Sequence, residues 1–155
     1  ESKKNQLPIT DKNMTRFNIL LEEGVKMVIW TLNNMLGGEI FVPKIPSYRI
    51  LDLAEAIGPN CAKEFIGLRP GEKIHEEMIT SSDSLSTIDM GNYYAILPQS
   101  ILNDKFISKF DALKKKYKFV EEGFSYSSGT NNSFLTVEEI RTLIKENIKS
   151  DFIPQ

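Results

Sequence analysis

Gly67-Leu68-Arg69-Pro70-Gly71-Glu72-Lys73-Ile74-His75-Glu76 is the stretch from which the rest of the chain can be read. Residues 63–68 form an apolar run that reads as a short strand. Pro70 biases Arg69 towards extended geometry and removes a backbone donor, so the strand is expected to stop at Arg69. Gly71 permits a tight turn, and residues 72–77 are expected to open a short helix with carboxylates in its first turn. A guanidinium at a strand end beside a turn suits a bidentate grip on a phosphate or a planar polar ligand. Glu72, three residues on, can accept from a sugar hydroxyl or orient Arg69. The simpler alternative is a surface Arg–Glu pair at a turn, and the lone His75 reads as structural.

Working back from this stretch, the chain alternates helix and strand. Leu7 to Asp11 is a short extended piece, with Pro8 tolerable at a strand start or edge, and Asp11-Lys12-Asn13 makes a turn. A helix is expected over about 20–36. Asn18 is a candidate cap, Glu22 and Glu23 lie in the first turn, and Leu21, Val25, Val28, Ile29, Leu32 and Leu36 share one face, which is expected to pack on a core. Residues 39–42 form a strand stopped by Pro43. Ser47 is expected to cap a second helix with a buried stripe of Ile50, Leu53, Ala54 and Ile57, and Gly58-Pro59 ends it with Gly in the left-handed position.

Working forward, residues 81–84 read as a polar turn, and 86–89 and 93–97 as two strands around Met90-Gly91-Asn92. Phe106, Phe110, Leu113 and Tyr117 recur at helical spacing within 100–117. Residues 124–132 form a polar loop. Thr136 and Glu139 make a capping box for a last helix whose buried positions are expected at Val137, Ile140, Leu143, Ile144 and Ile148. The class is therefore α/β or α+β, a small sheet with helices packed around it, in one domain over residues 1–155.

Composition narrows the function. Nineteen basic against 21 acidic residues leave a net charge of −2, so no global field points to nucleic acid or an anionic membrane. The single Cys61 cannot make an intramolecular disulfide, and with one histidine the usual zinc ligand sets are not available. No apolar run approaches bilayer length, and a cytoplasmic location is expected. Neither G-x-G-x-x-G nor a P-loop occurs, no Tyr stands four residues before a Lys, and G-x-S-x-G is absent. The chain opens at Glu1 on a polar leader, as a fragment or processed product would.

Four motifs in order carry a resemblance. Leu7-Pro8-Ile9-Thr10-Asp11 with Met14-Thr15-Arg16-Phe17, Gly37 to Ser47 with its Glu39-Ile40-Phe41-Val42-Pro43-Lys44-Ile45-Pro46 core, Gly67 to Glu76, and Tyr126-Ser127-Ser128 with Asn131-Asn132 and Phe134-Leu135 closely resemble the C-terminal half of the inverting UDP-N-acetylglucosamine 4,6-dehydratases. The match covers most of residues 7–98 and about 124–146, and is poor around 100–122.

The resemblance implies the substrate-binding half of an extended short-chain dehydrogenase/reductase, whose N-terminal Rossmann domain, absent from these 155 residues, binds NADP and holds the catalytic Tyr and Lys. The implied reaction is a lyase reaction. The sugar C4 is oxidised, water is eliminated across C5 and C6, and the hydride returns to C6 with inversion at C5. The product is a 4-keto-6-deoxy sugar nucleotide for pseudaminic acid or surface polysaccharide. By resemblance Thr10, Arg69 and Glu72 are nucleotide-sugar contacts, with Arg16 and Lys44 as further candidates. No catalytic, cofactor-binding or metal-binding residue is expected in this chain, which should bind a UDP-sugar, pair with the Rossmann half and form a homo-oligomer without turnover of its own. Where the family has a Thr, this chain has Leu20. The competing reading is a non-catalytic nucleotide-sugar binding or oligomerisation module, with the aromatic stripe of 106–117 as a partner surface.

Overall fold

The computed structural model describes residues 5–98 and 108–155. In chain order it runs β1 (Gln6–Ile9), β2 (Thr15–Phe17), α1 (Leu21–Asn34), β3 (Ile40–Pro43), β4 (Ser47–Arg49), α2 (Ile50–Ile57), β5 (Ala62–Phe65), β6 (Glu77–Ile79), β7 (Thr87–Asp89), β8 (Tyr93–Ile96), α3 (Asp111–Lys116), β9 (Lys118–Phe119), β10 (Tyr126–Ser127) and α4 (Val137–Asn147). Helices and small sheets mix, as the sequence implies. The one expected domain is built of two compact units: Glu1–Asn18, Ile45–Glu76 and Ser127–Gln155 form the first, Ile19–Lys44 and Glu77–Tyr126 the second.

In the first unit β1 and β5 pair in parallel, with Ile9 opposite Phe65, and β2 pairs antiparallel with β4. Helix α4 packs on α2, and Arg141 of α4 reaches the carbonyls of Glu55 and Ala56 at 3.2 and 3.3 Å, satisfying part of the α2 C-terminus. Gly58 ends α2, but at φ −143° and ψ 74°, outside the left-handed region. The glycine is needed for space instead, since a Cβ there would lie 2.7 Å from Cys61 Sγ.

Ser47 does not cap α2. It is a fully buried residue of β4, whose amide bonds to Ser133 O and whose carbonyl accepts from Leu135 N, while Asn131 Nδ2 holds its hydroxyl at 2.9 Å. Three tail residues hold it as a strand, and the cap position falls to Arg49. Within α2 the fully buried positions are Ala54 and Ala56, and the larger Ile50, Leu53 and Ile57 are only half-buried. In α4 the Thr136–Glu139 capping box forms as expected, with Glu139 N 3.3 Å from Thr136 Oγ1 and Thr136 N 2.8 Å from Glu139 Oε2. Ile140 is buried there, whereas Ile148 lies past the helix and is exposed.

The second unit holds a four-stranded antiparallel sheet in the order β3-β8-β7-β9. Phe41, Ile88, Ala95, Leu97 and Phe110 make its core, joined by Met27, Trp30, Met90, Leu113 and Tyr117. Phe110, Leu113 and Tyr117 therefore belong to the core and are not a partner surface; Phe106 lies outside the described residues.

Helix α1 reverses the expected orientation. None of its residues is fully buried, and the Leu21/Val25/Val28/Ile29/Leu32 stripe faces outwards. Trp30 stacks on Tyr93 at 4.4 Å and meets Phe41 edge-on at 5.1 Å, so the aromatic side of the helix takes the sheet and leaves the aliphatic side uncovered. Leu20 occupies the N-cap and has no acceptor to offer. Asn18 does not replace it: it stands two residues before the N-cap with its backbone N–H on Pro46 O, no side-chain cap bond forms, and the Leu20 amide is taken by Glu23 Oε2 at 2.9 Å.

Lys44 and Asp89 pair within this unit at 2.6 Å. Burial pushes the Asp89 carboxyl up, but the hydrogen bonds from Lys44 and the Gly91 amide outweigh it and hold the group below its ordinary value. A carboxyl depressed on folding contributes stability at neutral pH that is lost as pH falls through its folded value. Urea unfolding at pH 7 and pH 3 is therefore expected to show a smaller pH-dependent loss for Asp89→Asn than for the unaltered chain. Equal losses would mean that other carboxyls carry the dependence.

Candidate functional site

Strands β1 and β5 run parallel, so both leave the sheet at the same end. Ile66 N bonds to Ile9 O at 2.9 Å, which sets Thr10 beside the start of the segment leading to Arg69. The segment does not form the expected helix at 72–77. Gly67 and Gly71 adopt φ +81° and +82°, a conformation costly for other residues, and they fold 66–73 into an exposed loop. Glu72 closes it from both sides, its amide donating to Arg69 O at 3.0 Å and its Oε2 accepting from Arg69 N at 3.1 Å. The carboxylate thus satisfies the backbone of Arg69 and makes no ion pair with its side chain. Among the described residues the Arg69 guanidinium has no protein partner, and Glu72 Oε1 has none either. Thr10, half-buried, directly follows the last residue of β1.

Arg16 is placed differently. Its NH1 donates to Thr15 O at 2.7 Å and to Ile74 O at 3.1 Å, and its Nε lies 3.4 Å from Glu76 Oε1, so its head is occupied within the protein. Lys44 belongs to the second unit, where Asp89 holds its ammonium 4.4 Å above the Tyr94 ring.

Just beyond the Arg69 loop, residues 74–76 are clamped on two sides. Thr15 N bonds to Ile74 O at 3.0 Å and Ser128 N to Glu76 O at 2.8 Å. Between them Thr15 Oγ1 lies 2.9 Å from His75 Nδ1 and 2.7 Å from Ser128 Oγ, which also accepts from Glu76 N at 2.9 Å. Three of the recognised motifs, at 15, 75 and 128, meet in this network. No local pattern links residues so far apart in sequence; only the order of the motifs hinted at it. Asn131 of the tail motif adds a bond to Ile45 O at 2.8 Å. The clamp fixes the C-terminal root of the loop that carries Arg69 and Glu72.

Gly129 leaves room for this network. A Cβ at 129 would stand 2.6 Å from His75 Cγ and Nδ1. Gly129→Ala is therefore expected to drive the imidazole off Thr15 and cost about 1–2 kcal/mol in chemical unfolding. In a His75→Ala background the same substitution should cost much less. An equal cost in both backgrounds would mean that the glycine is needed for its backbone and not for the ring beside it.

Among the described residues no three His, Cys, Asp or Glu side chains could together hold a metal ion. For the nicotinamide cofactor implied by the resemblance, the fit is equally poor. Helices α1, α2 and α4 open at Leu20, Arg49 and Thr136 with no glycine-rich turn before them, so none offers a pyrophosphate cradle. No hydride step is derived from these residues. No helix of the described residues is long and apolar enough to cross a membrane.

The model of a polysaccharide biosynthesis protein family matches residues 1–98. The chain is 49% identical over 144 residues to a UDP-N-acetylglucosamine 4,6-dehydratase (inverting) of Campylobacter jejuni, covering 90% of this chain and 42% of that one. It is 32% identical over 143 residues to a UDP-glucose 4-epimerase of Rickettsia canadensis, again with 90% of this chain and 40% of the relative. Among solved structures, Pen from Bacillus thuringiensis superposes with a TM-score of 0.72 at 27% identity, over 94% of this chain and 42% of Pen. The chain thus spans about two fifths of the length of the relatives it matches.

Proposed function

The chain belongs to the polysaccharide biosynthesis protein family matched over its first 98 residues, and from that premise we propose that it is the sugar-nucleotide-binding part of an NADP-dependent enzyme that dehydrates UDP-N-acetylglucosamine. The product would be a 4-keto-6-deoxy sugar nucleotide for pseudaminic acid or another surface glycan, made in the cytoplasm. The relative at 49% identity supports the choice of reaction, and the names of both relatives share a UDP-sugar.

One observation carries the reading. The common end of the parallel β1–β5 pair presents Thr10 beside a loop whose Arg69 guanidinium has no protein partner among the described residues. Ligands of sheet proteins bind outside the carboxyl ends of parallel strands, and a fixed guanidinium matches a pyrophosphate. In this reading Arg69 holds the diphosphate, Glu72 Oε1 accepts from a ribose hydroxyl and Thr10 lines the same edge. Arg16 braces the protein beside it through Ile74 O and Glu76, and Lys44 is engaged by Asp89 within the second unit. NADP and the proton-transfer groups belong to a Rossmann half that the longer relatives have room for, and the outward face of α1 is where that half docks.

Calorimetric titration of the chain with UDP-N-acetylglucosamine tests the proposal. Saturable binding together with no turnover in the presence of NADP is expected. Turnover by the chain alone, or binding no better than that of an ADP-sugar, would overturn it.

A further inference from the structure

The first unit carries a second concave site that the reading above does not use. A cavity of about 480 Å³ is lined by Lys12, Asn13, Thr15, Arg49, His75 and Phe134, with Ile74 and Gly129 completing it. None of Thr10, Arg69 and Glu72 lines it, so it is separate from the β1–β5 edge.

Its chemistry is one-signed. Lys12 and Arg49 bring two permanent cations and His75 an imidazole, while no carboxylate lines the wall. The Lys12 ammonium has no hydrogen bond or ion pair among the described residues. Arg49 Cζ lies 4.4 Å from the centre of the Phe134 ring, and among the described residues its one ion pair is an exposed one to Asp52 at 3.4 Å. Exposed pairs of that kind are weak and yield readily to a better anion. His75 has its Nδ1 tied to Thr15, and its other ring nitrogen has no partner among the described residues.

We propose that this cavity binds a phosphorylated small molecule, with the phosphate between Lys12 and Arg49 and the organic part against Ile74 and Phe134. A guanidinium held against an aromatic ring and an unpaired ammonium are the donors that a phosphate rewards. The volume exceeds what bare phosphate fills and lies in the range of small-molecule sites, which is why the ligand is an ester and not the inorganic ion. The inference stands apart from the dehydratase reading and survives its failure.

Phenyl phosphate and inorganic phosphate are the probes, titrated into the full chain and followed by amide chemical shifts and calorimetry. Saturable binding is expected, tighter for phenyl phosphate, with shifts at Asn13, Ile74 and Phe134. Lys12→Ala and Arg49→Ala should each weaken it by roughly tenfold, the loss of one charge-assisted contact. Lys12 is exposed, so its variant stays informative if the Arg49 variant folds poorly. Arg69→Ala should leave the saturable shifts at Asn13, Ile74 and Phe134 within about twofold in affinity, because Arg69 does not line this cavity. Non-saturating shifts, equal affinity for the two probes, or binding that depends on Arg69 and not on Lys12 would each overturn the proposal.

Discussion

Arg69→Ala is expected to weaken UDP binding by at least tenfold while leaving the unfolding midpoint of the chain nearly unchanged. The separation of the two effects follows from the geometry of the loop. Glu72 closes the turn through the backbone of Arg69, by its amide to Arg69 O and its carboxylate to Arg69 N, and both contacts survive truncation of the side chain. The guanidinium itself is exposed and has no ion pair among the described residues, so its removal strands no buried partner. An exposed substitution of this kind changes stability by within about 0.5 kcal/mol. Hydrogen bonds to a charged phosphate contribute roughly 1.5–3 kcal/mol, which corresponds to about ten- to 150-fold in affinity. Arg69→Lys should recover only part of the loss, because an ammonium cannot make the paired contact. Glu72→Ala should differ in kind, lowering affinity by letting the loop open. Equal affinity of the Arg69→Ala and unaltered chains for UDP, measured by calorimetry, would remove Arg69 from the site.

The elements whose signals are local were legible in the sequence. The Thr136–Glu139 capping box, the strand pair around Met90-Gly91-Asn92 and the span of α1 all depend on neighbours within a few residues, and each formed where it was expected. What failed were positions decided by distant partners. Ser47 looks like a helix cap until residues 131–135 fold against it and hold it in a strand. Glu72 looks like the first turn of a helix, but two glycines at positive φ and its bond to Arg69 N make it the closure of a loop. The clamp of Thr15, His75 and Ser128 spans 113 residues of sequence and has no periodicity to announce it. Arg69 stood out because its chemistry is carried by one residue beside a proline and a glycine, whereas the cavity around Lys12 and Arg49 is assembled from four separate segments.

Leu32→Glu and Val28→Glu are expected to convert a self-associating chain into a monomer. The unaltered chain should show a concentration-dependent rise in mass by light scattering or sedimentation, because α1 is apolar on both sides and only one is covered. Trp30 and Met27 pack on the β3–β8 sheet, while Leu21, Val28 and Leu32 on the other side are 87%, 60% and 68% exposed. Glu22, Lys26 and Asn33 separate the two apolar sides, and a contiguous exposed apolar stripe of this kind marks a docking face. Ile19, Leu20, Leu21, Gly24, Val25, Val28 and Ile29 line a shallow apolar cavity of about 670 Å³ along the same face, where Gly24 keeps the wall low. With these side chains uncovered among the described residues, a second copy is the partner this prediction names. Glutamate at position 28 or 32 places a charge where association would desolvate it, yet touches nothing in the core, so dissociation without unfolding is the expected signature. Trp30→Ala makes the contrast, since it removes the stacking on Tyr93 and the edge contact with Phe41, and should lower stability by about 3–5 kcal/mol. A chain that stays monomeric at millimolar concentration, or glutamate variants that unfold as Trp30→Ala does, would show that the aliphatic stripe serves the fold of the second unit and no partner.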